Sequence, residues 1–254
     1  MKLKKLVAIT LSAVMCMAAL TGCGGKSDSA KKTAKVIEVD LTDEQYAFGV
    51  DKDQPDLLKE VNQFVKDMKS DGTFDEICNR YFGDGTPVPV KSAAYDESKD
   101  QLVVATNAAF EPFEYMDGEN YVGIDMEIAK ALADKLGKEL VIQNMDFDAV
   151  CLSVGQHKCD VAMAGLTIKP DREEYVAFSD PYYSASQKLI TLSTDTEFDA
   201  CKTADDVNKI LEAKGSDLKI GFQNGTTGQF YCEGDDDWGF PGQPRNYPQP
   251  RLRD

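Results

Sequence analysis

The sequence has few of the side chains that metal sites and disulfide frameworks require. It contains a single histidine, His157, and seven cysteines, none of them spaced as C-x-x-C. Cys16 lies in the N-terminal apolar run and Cys23 follows shortly after that run, which leaves five cysteines, an odd number, in the rest of the chain. This pattern favours neither a zinc site nor a full set of disulfides. We therefore expect no metal and no cofactor, and a solvated His157 at a helix end.

The sequence is also poor in positive charge. Lysine and arginine together number 28, against 44 aspartates and glutamates, which gives a formal net charge of −16. A chain this acidic is repelled by phosphate backbones and by anionic lipid surfaces. The composition therefore argues against nucleic acid as a partner and against electrostatic docking on a membrane.

Residues 1–22 have the features of an export signal. Three lysines lie within the first five residues, and an apolar run follows over residues 6–20. This run is too short for a stable membrane span. It ends in Leu20-Thr21-Gly22-Cys23, which resembles the lipobox of bacterial lipoproteins. We expect lipid on Cys23, a flexible tether over 23–35, and a mature protein anchored outside the cell membrane, with each buried CH₂ contributing about 0.8 kcal/mol.

The middle of the chain alternates short apolar runs with helical patterns. Predicted strands cover residues 102–106, 140–143, 160–164 and 188–192, and predicted helices cover residues 124–136 and 149–155. Such alternation predicts right-handed βαβ crossovers and a mostly parallel sheet. Ligands gather at the carboxyl ends of the strands in sheets of this kind. We therefore expect three loops to converge there, at 106–115, 145–148 and 164–172.

One of these loops has the residues of a carboxylate receptor. It reads Gly165-x-Thr167-x-x-x-x-Arg172 and combines backbone N–H groups, a hydroxyl and a guanidinium. Arginine presents a planar fork that matches two carboxylate oxygens. The alternative is an ordinary threonine helix cap followed by a surface arginine. The other two loops carry Phe110 and Phe147 beside polar groups, which favours aromatic contacts with a ligand. The alternative is that these two side chains only pack in the local core.

Residues 101–232 resemble the solute-binding proteins of polar amino-acid ABC importers, of the family 3 type. The resemblance rests on six stretches, at residues 102–115, 121–129, 145–147, 165–172, 178–183 and 219–228. It implies an α/β fold with two lobes, the type II periplasmic-binding-protein fold, which closes on its ligand. It also implies a monomer that hands a free polar amino acid to a permease.

The resemblance assigns roles to eight residues of this sequence. Arg172 would bind the ligand's α-carboxylate, with Thr167 and Thr227 as N–H or hydroxyl donors. The Gly165 carbonyl would accept from the α-amine. The ligand side chain would lie between two phenylalanines and end at two amides, namely Phe110, Phe147, Asn107 and Gln223. Since Asn107 is neutral where relatives often have an acid, one reason to prefer a basic ligand is absent.

Residues 36–83 lie in an unusual place. They predict a strand at 46–50 and a helix capped by Asp53, followed after Gly72 by a second helix. The first helix has an apolar face, formed by Leu57, Leu58, Val61, Phe64, Val65 and Met68. In the resembled family such a segment ends the chain and completes the first lobe. We favour a circular permutation, with 84–100 as linker and 101–192 as the rest of lobe 1. The alternative is the tail of a tandem copy.

The other end of the sequence also departs from the family. Residues 193–240 correspond to a partial second lobe, and residues 241–254 form a basic tail with four prolines. We expect a frameshift or a truncated reading frame there, with a genuine tail as the alternative. In the resembled family, the rest of the second lobe supplies the acid that pairs with the ligand's α-amine. Because no such stretch is recognised in this sequence, binding is expected to be weak.

Three functions are therefore compared at this point. The first is a lipid-anchored receptor that captures a polar amino acid without chemistry. The second is a dehydratase-like enzyme on the same fold, which would need a general acid or base in the cleft. The third is a non-functional fragment. Residues 224–228 also resemble a phosphate cradle, but they lack the Lys-Ser/Thr ending of a P-loop.

Overall fold

The structure is a computed structural model that describes residues 33–215 and 218–234. The predicted signal peptide, Cys23, most of the tether and the basic tail lie outside the described residues. The strands are β1 (Ala34–Val36), β2 (Glu44–Tyr46), β3 (Gly49–Asp51), β4 (Gln101–Thr106), β5 (Ala109–Phe110), β6 (Glu114–Asp117), β7 (Asn120–Val122), β8 (Glu139–Asn144), β9 (Val161–Ala162), β10 (Val176–Phe178), β11 (Tyr183–Ala185) and β12 (Ile190–Leu192). The helices are α1 (Pro55–Ser70), α2 (Thr73–Phe82), α3 (Ile124–Leu136), α4 (Phe147–Gly155), α5 (Pro170–Glu173), α6 (Ala204–Lys214) and α7 (Thr227–Glu233).

The central sheet has the strand order β10-β3-β9-β4-β8 and is mixed. β4 runs parallel to β8 and to β9, whereas β3 runs antiparallel to both of its neighbours, β9 and β10. Four of the five strands (β10, β9, β4 and β8) thus run in one direction, as a mostly parallel sheet requires, and only β3 departs from the prediction. The reason is that β3 comes from the N-terminal segment and is not reached from a neighbouring strand by a βα crossover.

Two other strand predictions need correction. The predicted strand at 188–192 becomes β12, which pairs antiparallel with β1 outside the central sheet. The predicted strand at 46–50 divides into β2 and β3, because the chain leaves its pairing with β11 and enters the central sheet. In contrast, α3 has the predicted bounds and ends at Gly137, which has the left-handed conformation typical of a helix C-terminus.

The N-terminal helix α1 is part of the main core. Its buried residues pack in one cluster with side chains of β4 and α3, and they are Val61, Phe64, Val65 and Met68. The helix begins after Gln54, and not after the predicted cap Asp53, whose N–H donates to the Asp51 carboxylate instead. Burial of an apolar side chain of this size contributes about 1.5–3 kcal/mol, so this face is a large part of the core's stability.

The same N-terminal segment also reaches a second core. Ile37 and Val39 pack in a separate cluster with Phe198, Val207 and Leu211. Residues 36–83 therefore contact both the main core and the core around α6. The prediction that they complete the first lobe alone is too narrow.

No helix in the described part of the chain is both long and apolar enough to cross a bilayer.

His157 follows α4 and is exposed, as predicted for a helix end, but it also has a partner. Its Nδ1 lies 2.8 Å from the carboxylate of Asp51 on β3. The hydrogen bond to Asp51 and the charge of that carboxylate raise the pKa of His157 above its ordinary value. The backbone of His157 has a positive φ of 59°, a conformation that asparagine tolerates. His157→Asn is therefore a suitable substitution for testing this contact.

We expect the contribution of His157 to stability to depend on pH. Because the folded pKa is raised, this contribution is fully present below about pH 6.5 and is lost as the pH rises through the folded value. The melting temperature of His157→Asn should therefore lie furthest below wild type near pH 5.5. Thermal unfolding from about pH 5 to pH 9 measures this gap. A gap that does not narrow with rising pH would show that the contact is not a titrating ion pair.

Candidate functional site

A cavity of about 660 Å³ lies beyond the carboxyl ends of β4, β8 and β9. Its lining includes all eight residues that the sequence singled out, namely Asn107, Phe110, Phe147, Gly165, Thr167, Arg172, Gln223 and Thr227. The three predicted loops do converge there, because parallel strands deliver their following loops to one edge of a sheet. The lining also includes Tyr46 and Gln187, which sequence reasoning missed.

Arg172 is held firmly in the wall of this cavity. It lies on the short helix α5 and is 8% exposed. Its two terminal nitrogens donate to carbonyls of two separate segments, Nη1 to Thr167 O at 2.7 Å and Nη2 to Gly225 O at 3.0 Å. The guanidinium carbon also lies 5.3 Å from the centre of the Phe147 ring. Burial lowers the pKa of Arg172, but a guanidinium stays charged at neutral pH.

The guanidinium has no carboxylate within ion-pair distance among residues 33–215 and 218–234. Its hydrogen-bond partners there are neutral carbonyl groups. A buried charge is costly unless a counter-charge or several dipoles offset it. The wall of the cavity is therefore electrostatically suited to an anionic group.

Gly165 has to be glycine at this position. Its φ is +53°, and a Cβ there would lie 2.9 Å from the Phe110 ring. Its N–H donates to the Asp125 carboxylate at 2.9 Å, which fixes the orientation of the turn. Gly165 itself lines the cavity. The local geometry thus explains why the sequence has glycine between the strand and the arginine.

Two buried acids lie behind this turn. Asp125 accepts from Gly165 N–H and from the Tyr182 hydroxyl, and burial raises its pKa to about 6. Glu114 has no hydrogen-bond partner for either carboxylate oxygen in the described part of the chain. Burial first, and then the charge of Asp125, raise the pKa of Glu114 well above its ordinary value. Burial thus favours the neutral form of both carboxyl groups.

Glu44 is the most important residue that sequence reasoning missed. It lies at the start of β2, is 1% exposed, and accepts hydrogen bonds from both site threonines. The Thr167 and Thr227 hydroxyls donate to its Oε2 at 2.6 and 3.0 Å. Those two hydroxyl protons are therefore engaged, and the backbone N–H groups are the donors that remain from the predicted pair. The sequence offered no signal, because the partners of Glu44 are far apart along the chain.

Two amides of the cavity lining are hydrogen-bonded to each other. Gln223 Nε2 donates to Asn107 Oδ1 at 3.0 Å, and Asn107 Nδ2 donates to the Met145 carbonyl at 2.7 Å. Phe110 stacks on Phe113, while the face of Phe147 receives the Arg172 guanidinium. The placement of the ligand side chain between Phe110 and Phe147 stays a prediction, since each of these rings has a second face.

Comparison with known proteins agrees with this fold. The chain belongs to the bacterial extracellular solute-binding proteins, family 3, whose model matches residues 9–84 and 102–229. Its α/β architecture is accordingly that of the type II periplasmic binding proteins. The family match falls into two separate stretches, which bracket the predicted linker at 84–100.

Several characterised proteins are similar over part of this chain. The arginine-binding extracellular protein ArtP of Bacillus subtilis is 40% identical over 96 residues, which are 38% of each protein. The ABC transporter arginine-binding protein 1 of Escherichia coli is 33% identical over 53% of this chain and 50% of its own length. The cyclohexadienyl dehydratase of Pseudomonas aeruginosa is 31% identical over 48% of this chain and 47% of its own length. The chain thus spans half or less of the length of these relatives.

A solved structure shows the same pattern of partial coverage. An amino acid ABC transporter substrate-binding protein from Streptococcus pneumoniae, bound to L-arginine, is 47% identical with a TM-score of 0.32. The aligned part is 34% of this chain and 38% of the other.

Proposed function

We propose that this chain is the substrate-binding component of an amino-acid ABC importer and binds a free polar amino acid. The observation that carries the proposal is the buried Arg172, whose guanidinium faces a cavity and has only carbonyl acceptors among the described residues. An α-carboxylate would offset the buried charge through a bidentate contact. Family membership supports the same function.

The ligand side chain would point toward Phe110 and the amides of Asn107 and Gln223. These groups are uncharged, and the described lining of the whole cavity has one acid, Asp195, beside Arg172 and the three lysines Lys188, Lys214 and Lys219. The relatives named as arginine-binding proteins make L-arginine the first ligand to test. The amide pair is also complementary to a neutral side chain such as that of glutamine.

A thermal-shift screen of the full chain against the twenty amino acids tests the proposal. A ligand at a hundred times its dissociation constant adds about 2.7 kcal/mol of stability, which shifts the melting temperature by several degrees. A parallel turnover assay with cyclohexadienyl substrates tests dehydratase chemistry, because one of the relatives is named as a cyclohexadienyl dehydratase. A shift with at least one polar amino acid and no turnover supports the receptor. No shift with any amino acid contradicts it.

We also propose that residues 36–83 are a permuted segment that belongs to the same folded unit. Two observations support this: β3 lies between β9 and β10, and the apolar face of α1 is buried against β4 and α3. Residues 84–100 would then be the linker, 101–192 the remainder of lobe 1, and 193–240 a partial lobe 2. A tandem-copy tail would not need to insert a strand between two others.

The anchor is a further proposal, which rests on the Leu20–Cys23 motif. Cys23→Ser removes the thiol that would carry the lipid, so the variant should move from the detergent phase to the aqueous phase of a detergent extraction. Cys201→Ser, which changes a partly exposed cysteine elsewhere, is the control and should partition as wild type does. If wild type and Cys23→Ser partition identically, the anchor proposal is wrong.

A further inference from the structure

The Glu44 carboxylate lies beneath the cavity and is surrounded by four hydrogen-bond donors. Oε1 accepts from the Thr42 hydroxyl at 2.6 Å and from Gln187 Nε2 at 3.0 Å. Oε2 accepts from the Thr167 and Thr227 hydroxyls. An ionised carboxylate offers about four lone-pair positions, so these donors satisfy it completely. A carboxylate with this many donors is held in one orientation.

This arrangement decides how the two threonines face the cavity. A threonine hydroxyl has one proton to donate and two lone pairs that accept. Since Thr167 and Thr227 both donate to Glu44, each presents only lone pairs to other groups. The Thr227 hydroxyl also accepts from Gln187 Nε2 at 2.8 Å, whereas the Thr167 hydroxyl keeps its acceptor capacity. The wall of the cavity at Thr167 is therefore an acceptor surface with a negative charge directly behind it.

Thr167 also contacts the positive side of the site. Its carbonyl accepts from Arg172 Nη1, and its hydroxyl donates to Glu44 Oε2. Thr167 thus hydrogen-bonds to a guanidinium through its backbone and to a carboxylate through its side chain. A free amino acid carries its carboxylate and its ammonium on a single carbon atom. Arg172 and Glu44 carry charges opposite to those of the ligand's carboxylate and ammonium, respectively.

We propose that Glu44 supplies the negative half of a zwitterion site and acts through the Thr167 hydroxyl, which accepts a hydrogen bond from the ligand's α-ammonium. This inference rests on the proposed function, since it concerns how the same cavity recognises an amino acid. Glu44 is a positioning residue in this scheme, because the Thr167 hydroxyl lies between it and the cavity. The N-terminal segment would thereby contribute a charge to ligand recognition.

A different explanation is that Glu44 only holds two segments of the cavity wall together through its hydrogen bonds to Thr167 and Thr227. Thr167 and Thr227 belong to two separate segments of the cavity wall, so loss of the carboxylate that joins them would weaken binding of every ligand equally. The two explanations differ in one respect. Recognition of the ammonium predicts an effect limited to ligands that have an α-ammonium group.

The experiment compares two amino acids with their desamino analogues. The pairs are L-arginine with 5-guanidinopentanoate, and L-glutamine with glutaramate. Calorimetry on the full chain gives, for each pair, the ratio of the two dissociation constants. In wild type the amino acid of the better-binding pair should bind at least about tenfold more tightly than its analogue, as a hydrogen bond to a charged group contributes about 1.5–3 kcal/mol.

Glu44→Gln retains the shape but replaces one acceptor oxygen with an NH₂ donor. We expect it to lower amino-acid affinity at least about tenfold while changing the affinity of the analogue less than about threefold, so that the ratio approaches one. Glu60→Gln, an exposed position on α1, is the matched control and should change neither. An equal loss of affinity for the amino acid and for its analogue would overturn the proposal. It would indicate that Glu44 only holds the two segments of the cavity wall together.

A second variant covers the case in which Glu44→Gln does not fold. Thr167→Val removes the hydroxyl and keeps the side-chain volume, and it should reduce the same ratio. Thr167→Ser keeps the hydroxyl and should leave the ratio within about threefold of wild type. A Thr167→Val ratio equal to that of wild type overturns the proposal. Failure of wild type to bind any amino acid refutes the proposed function itself, and this is visible before any variant is made.

Discussion

Arg172→Ala is expected to lower amino-acid affinity at least about 30-fold, because losing one partner of a buried charge pair costs about 2–5 kcal/mol. The guanidinium is held by the carbonyls of Thr167 and Gly225 and by the Phe147 ring, so it needs no rearrangement to receive a carboxylate. Pre-organisation of this kind increases the net value of the contact. Isothermal titration calorimetry measures the loss directly.

Two further variants separate a specific contact from a general charge effect. Arg172→Lys keeps the charge but loses the planar fork, so its affinity should fall between those of wild type and Arg172→Ala. Lys214→Ala removes another cation that lines the cavity and is paired with Glu197, and it should cost less than about threefold. If Arg172→Ala also costs less than about threefold, the carboxylate binds elsewhere.

Deletion of residues 36–83 is expected to abolish cooperative unfolding. It removes β3 from between β9 and β10, and it uncovers the core surface on which α1 packs. The buried side chains of α1 contribute about 1.5–3 kcal/mol each, so their sum is comparable to the whole stability of a domain. Calorimetry should show no sharp transition, and light scattering should show aggregation. A soluble deletion variant with an unchanged transition would instead support the tandem-copy explanation.

A point substitution makes the same test without removing a strand. Met68→Ala should lower the free energy of unfolding by about 2–5 kcal/mol, since Met68 is 1% exposed within the main core. Lys66→Ala lies on the exposed side of the same helix and should change it by no more than about 0.5 kcal/mol. Urea titration of both variants gives the comparison.

The elements that the sequence predicted well are those with strong local signals. The strand β4 is an uninterrupted apolar run, and α3 has helical spacing with Gly137 at its end, so both were placed within a residue of their bounds. The direction of β3 could not be predicted in this way. It depends on pairing with β9 and β10, which lie more than a hundred residues further along the chain.

The site shows the same division between local and distant information. The convergence of Arg172, Thr167 and Phe110 follows from the rule that loops meet at the carboxyl ends of parallel strands. The role of Glu44 does not follow from any local pattern, since its partners belong to three separate stretches of chain. Contact between Arg172 and the Phe147 ring likewise depends on side-chain packing that the sequence does not specify.

The position of β3 has a consequence for how the chain acquires its structure. Val50 is synthesised early, yet its partners Val161 and Ala177 are made much later. Pairings between such distant residues raise the contact order and slow folding. Until residues 161–178 have been synthesised, β3 lacks both of its neighbouring strands, although β4 and β8 can already pair. The sheet around β3 can therefore be completed only after synthesis has passed β10.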